Sequence, residues 1–329
     1  MDPANAPVEP PGARPPRRGG RALAPLADAG PLSRYLRPVQ PLAVVILTLD
    51  EEQNLPKALR SIGGRAPTIV VDSGSRDRTQ AIARDAGAEV VEHPFVDYAS
   101  QRNFALDLCK ERFDWIFFLD ADEELTPELW GEIEAAITRD DLDGAYLRLE
   151  VWMLGRRLTR GEYATSRVLR LIRPTVARFR RGINERVDDR DMRVTVLQHR
   201  LVHRDLRPIA DWFHKHVRYA QKEAIAYVDG HDRERGLDGF NMRTKAGRTV
   251  GVRWVYNKIP LFVRPFVFHA RALAQGAWLD GVAGAMFAGM HALWYPMLID
   301  LLIFEELQRR ARERGEIEPG GDDPGEQGG

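Results

Sequence analysis

Five consecutive large apolar residues, Trp115-Ile116-Phe117-Phe118-Leu119, run directly into Asp120-Ala121-Asp122-Glu123-Glu124. A run of that kind suits a strand buried on both faces of a parallel sheet. The four carboxylates then sit where such a strand emerges, and in open α/β sheets ligands bind outside the carboxyl ends of the strands. There the acids can face a bound molecule without being buried unpaired. Two aspartates one residue apart can share a hard divalent cation such as Mg2+ or Mn2+, which commonly binds phosphate groups through one or two carboxylates. The same acids also suit the positive end of a following helix, because Thr126-Pro127-Glu128 has the form of a helix start. Both readings stand on this stretch alone. An EF-hand calcium loop does not fit, since Leu125 occupies the place of the turn glycine.

The chain before this stretch alternates strands with helices. Ala43–Leu47 is an apolar run; Asn54 is expected to cap a helix in which Leu55, Leu59 and Ile62 fall at helical spacing, and Gly63-Gly64 ends it. Thr68–Val71 is the next strand and finishes in Asp72-Ser73-Gly74-Ser75; Asp77 or Ser75 caps a helix that stops at Gly87. Val90-Val91 is a third strand, and a helix over about residues 101–110 leads to the fourth, Trp115–Leu119. This alternation predicts βαβ units, a parallel sheet and right-handed crossovers. Asp50-Glu51-Glu52, Asp72-Ser73-Gly74-Ser75 and Asp120-Ala121-Asp122 each follow a strand, which places carboxylates, hydroxyls and a glycine along one edge, as a nucleotide pocket requires. Neither a P-loop nor a dinucleotide fingerprint is present.

Beyond the helix near Thr126–Thr138, Gly144–Val151 alternates apolar and polar residues, and Val168–Ile172 and Val194–Val202 look similar, so the second part is expected to be mixed α/β with antiparallel edges. Glu185 is an isolated acid in the basic loop Phe179–Arg186: either a salt-bridged surface group or a general base tuned by its neighbours. His199 and His203, four apart on a strand, are expected to point the same way, whereas His214 and His216 fall on a helix; the set matches no standard zinc spacing.

Equal numbers of Lys+Arg and Asp+Glu, 48 each, exclude a globally basic nucleic-acid binder. The single Cys109 rules out an intramolecular disulfide and fits a buried structural thiol in a reducing compartment. Residues 1–38, rich in Pro, Gly, Ala and Arg without an apolar signal-peptide core, read as a disordered tail, and so do residues 311–329. The domain expected over 39–228 is followed by a helical region, 229–310. Its apolar stretch Val282–Phe304 is interrupted by His291, Pro296 and Asp300, which argues against a single spanning helix. Aromatic residues interleaved with Lys258, Arg264 and Arg271 suggest helices lying in a membrane interface; a helical hairpin packed on the first domain is the alternative.

Four segments, Val45–Glu52, Val70–Thr79, Asp97–Ala105 and Phe118–Glu123, resemble in order the motifs of family 2 inverting glycosyltransferases, and among these the bacterial branch with lipopolysaccharide-core β-glucosyltransferases. The likeness covers about residues 41–226, and the later Gly276–Gly284 also resembles that branch. It implies a GT-A fold: a Rossmann-like, mixed but mainly parallel sheet flanked by helices, here with a C-terminal helical membrane-associating extension. It implies an enzyme that moves a sugar from a nucleotide-sugar donor of the uridine diphosphate kind, such as UDP-glucose, to a glycolipid or oligosaccharide acceptor. Residue by residue, the resemblance assigns Glu51 and Asp72 to the nucleoside, with Thr48 adjacent and Ser73 also on the donor, Arg102 to the diphosphate, and Asp120 and Asp122 to the donor and a Mg2+ or Mn2+ ion, with Asp122 the direct ligand. His203 matches a histidine near the metal, and Glu185 matches the general base. Departures are Leu49-Asp50 for Lys-Asn, Arg76 for Thr and Asn184 for His, which bear on donor specificity. The implied setting is cytoplasmic and peripheral on the inner face of the cytoplasmic membrane. A polyprenyl-phosphate glycosyltransferase and a non-catalytic nucleotide-sugar-binding membrane scaffold are the competing readings.

Overall fold

The computed structural model describes residues 40–161, 164, 167–180, 186–187, 189, 191–229 and 259–316. Residues 1–38, the segment beyond 316, Lys258 and Glu185 lie outside the described residues.

Strands β1 (Gln40–Thr48), β2 (Thr68–Asp72), β3 (Glu89–Glu92) and β4 (Phe113–Asp120) are joined by helices α1 (Leu55–Ile62), α2 (Thr79–Asp85) and α3 (Tyr98–Cys109). All three pairings among these strands are parallel. Because β4 is apolar on both sides, it fills two cores at once. Trp115, Phe117 and Leu119 pack with Leu55 and Ile62 of α1 and with Leu129 and Ile133 of α4 (Pro127–Ile137), whereas Ile116 and Phe118 pack with Ala105, Leu106 and Cys109 of α3. Burying a side chain of this size is worth roughly 1.5–3 kcal/mol. Cys109 is fully buried, and burial pushes its thiol up to about 12, as suits a packing residue. Gly63 closes α1 at φ 61° in the left-handed region, and Thr126 caps α4 by accepting from the amide of Leu129 at 3.2 Å.

The second half extends the same sheet. β8 (Arg167–Ile172) lies antiparallel between β4 and β6 (Gly144–Met153), and β11 (Val194–His203) runs parallel to β6. Two-residue β5 (Glu123–Glu124) turns back from β4 and pairs antiparallel with the end of β11, His203 opposite Glu123. The order is β3-β2-β1-β4-β8-β6-β11-β5, with β7 (Arg156–Arg157) folded back on β6. β9 (Phe179–Arg180) and β10 (Arg186–Val187) form a separate hairpin. This is the mixed sheet with long parallel ladders and flanking helices expected of a GT-A fold.

The C-terminal helices fold back on this domain. α5 (Ile209–Val228) packs along α8 (Tyr295–Glu313) through Ala220, Ala224, Ile299 and Ile303. Between them α6 (Arg264–Ala274), a 3-10 turn (Ala277–Asp280) and α7 (Gly281–Gly289) follow, and a π turn (Met290–Trp294) joins α7 to α8. Gly284 lets α7 lie against that turn, since a Cβ there would sit 2.1 Å from the Ala277 carbonyl oxygen. Arg264 and Asp300, both almost completely buried, are paired: Arg264 Nε donates to Asp300 Oδ1 at 2.5 Å, and the Phe262 amide donates to Oδ2 at 2.7 Å. Breaking a buried pair strands one charge, so Arg264→Met is expected to cost about 3–5 kcal/mol in urea unfolding. The double substitution Arg264→Met/Asp300→Leu is expected to regain part of that loss; strictly additive losses would show that the two groups are not coupled.

Candidate functional site

Register fixes the site's location. Thr48 lies opposite Asp72 and Leu47 opposite Asp120, so the carboxyl ends of β1, β2 and β4 share one edge. There Asp72 is fully enclosed by donors. Its Oδ1 accepts from the amides of Gly74 (3.0 Å) and Ser75 (2.8 Å) and from Gln80 Nε2 (2.8 Å), while Oδ2 accepts from Thr48 Oγ1 (2.8 Å) and Ser75 Oγ (2.5 Å). The turn that aims both amides inward needs Gly74 at φ 90°. Burial raises the Asp72 pKa, but these hydrogen bonds outweigh it and hold the carboxyl below the usual range.

The loops after β1 and β2 are stitched together. The Asp50 amide donates to Ser75 Oγ at 2.9 Å, the Arg76 amide to Asp50 Oδ1 at 2.8 Å, and the Glu52 amide to Asp77 Oδ2 at 3.0 Å. These bonds hold Asp50 at φ 54°, a region disfavoured for a side chain. Ser73 Oγ accepts from Gln101 Nε2 at 2.8 Å. Buried Glu51 accepts from Arg207 Nη1 and Asn54 Nδ2, both at 2.9 Å. Asn54 stands at the start of α1 but makes no capping bond: its Nδ2 joins Glu51 to Asp205 (3.0 Å), and its Oδ1, the atom a cap would use, accepts instead from the Leu206 amide at 2.9 Å. Burial dominates Glu51 and raises its pKa, against the opposing charges of Lys215 and Arg207.

Asp120 and Asp122 have different surroundings. Arg170, buried on β8, forks onto both Asp120 oxygens and also donates to Glu123 Oε1 at 2.5 Å. Glu123 closes the turn by accepting the Asp120 amide at 2.9 Å; burial raises its pKa against the opposing charge of Arg170, and the neighbouring Asp120 carboxylate adds to the rise. Arg102 reaches Asp120 Oδ1 at 3.3 Å, with its guanidinium carbon 4.8 Å from the Phe118 ring centroid and 5.4 Å from that of Phe179. Asp122 instead faces His203, Oδ1 to Nδ1 at 3.4 Å. That separation is wider than an ordinary hydrogen bond, and Nδ1 is buried. Burial lowers the His203 pKa, but Asp122, with Glu123 and Asp120, outweighs it and lifts the imidazole to about 9.

His199 does not join this pair. The β11 register against β6 slips by two residues between Val196 and Arg200, and His199 meets Glu132 at 3.1 Å while His203 meets Asp122. Among the described residues no three His, Cys, Asp or Glu are arranged to hold a metal by themselves. Asp122 and His203 fit a smaller demand: two donors to one cation that takes its remaining ligands from phosphate and water. Sequence reasoning missed Arg170, Arg207 and Lys215. Arg170 left a signal, a lone cation in the apolar run Val168-Leu169-Arg170-Leu171-Ile172, which calls for a buried acid.

Residues 43–207 match Glycosyl transferase family 2. The chain belongs to this family. The matched span contains every site residue described above except Lys215. Within it the chain is similar to an uncharacterized glycosyltransferase of Rickettsia bellii (strain RML369-C), 40% identical over 114 residues covering 34% of this chain and 38% of that protein. It is also similar to a lipopolysaccharide core biosynthesis glycosyltransferase of Rhizobium meliloti (strain 1021), 35% identical over 150 residues covering 43% and 54%. Among solved structures, glucosyl-3-phosphoglycerate synthase from Mycobacterium tuberculosis, in complex with Mn2+, uridine diphosphate and glucosyl-3-phosphoglycerate, matches at 18% identity and a TM-score of 0.39 over 52% of this chain and 74% of that one. The chain spans about half or less of the length of the curated relatives it matches.

Arg170 serves two carboxylates, so Arg170→Leu is expected to lose about 3–5 kcal/mol of stability by thermal unfolding. Arg170→Lys should not rescue it, because an ammonium lacks the planar fork that reaches both acids. A lysine variant as stable as the wild type would show that the fork is dispensable.

Proposed function

We propose that this protein is an inverting glycosyltransferase that moves a sugar from a UDP-sugar to a hydroxyl of a glycolipid or cell-envelope saccharide, at the inner face of the cytoplasmic membrane. The observation that carries this reading is the meeting, at one sheet edge inside the family span, of the stitched β1 and β2 loops with the Asp122–His203 pair. The lipopolysaccharide-core relative supports an envelope saccharide as acceptor.

In this reading the residues divide the work. Thr48, Asp72 and Ser73 shape the nucleoside side of the pocket, Asp72 by fixing the Gly74–Ser75 turn, since its oxygens are already engaged. Glu51 offers a carboxylate to the nucleoside from beside Arg207. Arg102 stands at the diphosphate, stiffened by its two rings. Asp120 orients Arg102 and Arg170 and keeps the acid-bearing turn in place. Asp122 and His203 would hold Mg2+ or Mn2+, His203 giving up the proton that Asp122 stabilises as the cation binds, and the nitrogen donor would favour Mn2+ over the harder Mg2+. What that ion supplies when bound is a counter-charge to the departing diphosphate. Lys215, whose charge acts on both Glu51 and Asp122, adds positive potential on the same side. Glu185, outside the described residues, takes the proton from the acceptor hydroxyl as it attacks the anomeric carbon from the face opposite the leaving group.

The test incubates the protein with Mg2+ or Mn2+, a panel of nucleotide sugars and lipopolysaccharide-core acceptors, and measures UDP release. Metal-dependent release with a UDP-sugar is expected, and no response to any UDP-sugar would overturn the donor assignment. Asp122→Asn should abolish transfer, whereas a scaffold that only binds would keep its function. Glu185→Gln should bind donor normally but turn over about 10²–10⁴-fold more slowly. Transfer indifferent to Glu185 would instead point to an acceptor that is already ionised, such as a polyprenyl phosphate.

A further inference from the structure

Helices normally turn their apolar stripe inward, yet α6 does the reverse. Its buried members are Arg264 and Pro265, while Val263, Phe266 (58% accessible), Val267 and Leu273 face outward at helical spacing. The following turn and α7 continue the pattern: Trp278 (56%), Leu279, Val282 (74%) and Met286 are exposed at spacings of three and four. α6 packs on both the 3-10 turn and α7, so the two exposed stripes belong to one body. Scattered exposed apolar residues need no explanation, but a contiguous run of this length marks an interaction surface.

The charge around the run identifies the partner. Between Leu261 and Met290 the only acidic residue is Asp280, which is buried and accepts from the Thr159 amide (2.7 Å), Thr159 Oγ1 (2.7 Å) and the Arg160 amide (2.9 Å). Arginines border the apolar residues. Arg271 lies on the exposed side of α6; Arg156 lies against Gly281, where a Cβ would come 3.0 Å from its Nη1; and the Arg160 side chain lies against Gly276. Arg156 and Arg271 form no ion pair among the described residues. An apolar face without exposed acids, edged by unpaired guanidiniums, complements an anionic bilayer surface.

We infer that the face built by α6, the 3-10 turn and α7 docks the enzyme on anionic phospholipid, with Phe266, Trp278 and Val282 at the acyl boundary and Arg156 and Arg271 at the headgroups. This deepens the peripheral-membrane part of the proposed function and rests on it only in taking a bilayer as the surface that carries the acceptor. The chain lies on the membrane rather than crossing it. Ala277–Glu313 is long and apolar enough to span by length and composition. Its inner side, however, is committed to α5 through Ile299 and Ile303, Tyr295 donates to Glu223 of α5 at 2.9 Å, and Asp300 is paired with Arg264. Spanning would strip all of these contacts.

The full chain is tested by co-sedimentation with phosphatidylglycerol/phosphatidylethanolamine vesicles and with phosphatidylcholine vesicles. The wild type is expected to bind the anionic vesicles, weaken with salt, and be released by alkaline carbonate. Phe266→Glu/Trp278→Glu/Val282→Glu should stay in the supernatant, and Arg156→Gln and Arg271→Gln should each lower partitioning about five-fold. Brominated acyl chains should quench the wild type more than Trp278→Phe. The inference is overturned if the triple variant binds like the wild type, if the wild type binds neither vesicle, or if carbonate fails to release it. It is equally overturned if the triple variant abolishes only self-association, which would assign the face to a second copy. UDP release in solution separates the two readings: a protein that binds vesicles but turns over no nucleotide sugar keeps the docking face and loses the transferase, and the triple variant should release UDP at the wild-type rate.

Discussion

A strand buried on both faces can carry acids only at its end, and acids gathered there repel one another unless a cation comes from beside them. In this chain the cation is Arg170. Its strand, β8, is inserted antiparallel between β4 and β6, so a residue far from Asp120 in sequence reaches it from the next strand. One guanidinium then holds Asp120 and Glu123, and Glu123 in turn holds the Asp120 amide. The turn between β4 and β5 is thereby fixed, and β5 can pair with the tip of β11. That pairing, continued by the Arg204 amide donating to the Asp122 carbonyl at 2.8 Å, brings His203 to Asp122. The candidate metal pair thus depends on a buried ion network in which neither member takes part directly.

The same geometry explains why two aspartates one residue apart differ. Asp120 is the last residue of β4, in register with Leu47 on β1, and its carboxylate is caught by cations from β8 and α3. Asp122 lies beyond Ala121, where the chain has already begun to reverse, and it looks across to β11. A two-residue spacing on a continuing strand would have put both on one face. The turn separates them, leaving Asp120 to structure and Asp122 with a donor partner whose nitrogen is not otherwise hydrogen-bonded.

What could be read in the sequence was local. The first four strands, their crossovers, the glycine after α1 and the threonine cap of α4 follow from hydrophobic period and end signals, and the clustering of functional groups follows from strand ends alone. What escaped was set by distant pairing. Asn54 sits where a cap belongs, but its Nδ2 serves Glu51 and Asp205 while its Oδ1, the atom a cap would use, is taken by the amide of the distant Leu206. His199 and His203 keep the spacing of one strand face, yet with His199 in the register slip they meet different partners. Arg207 follows β11 and answers Glu51 on the first loop, a contact no local pattern encodes.

The site and the proposed lipid-facing surface are mechanically joined, and the joint is Asp280. His203 ends β11; β11 runs parallel to β6, with His203 opposite Val151; and β6 continues into the hairpin with β7 and on to Thr159 and Arg160. Asp280, at the end of the 3-10 turn that exposes Trp278, takes three hydrogen bonds from those two residues. Burial raises its pKa, but those bonds outweigh it and keep the carboxylate charged. The surface that would rest on lipid is therefore pinned to the extension of the strand that abuts the candidate metal ligand. An acceptor presented at the bilayer would meet the site at a height set by this clamp rather than by a flexible tether, since a rigid connection of paired strands and charge-assisted bonds fixes position where a linker fixes only reach.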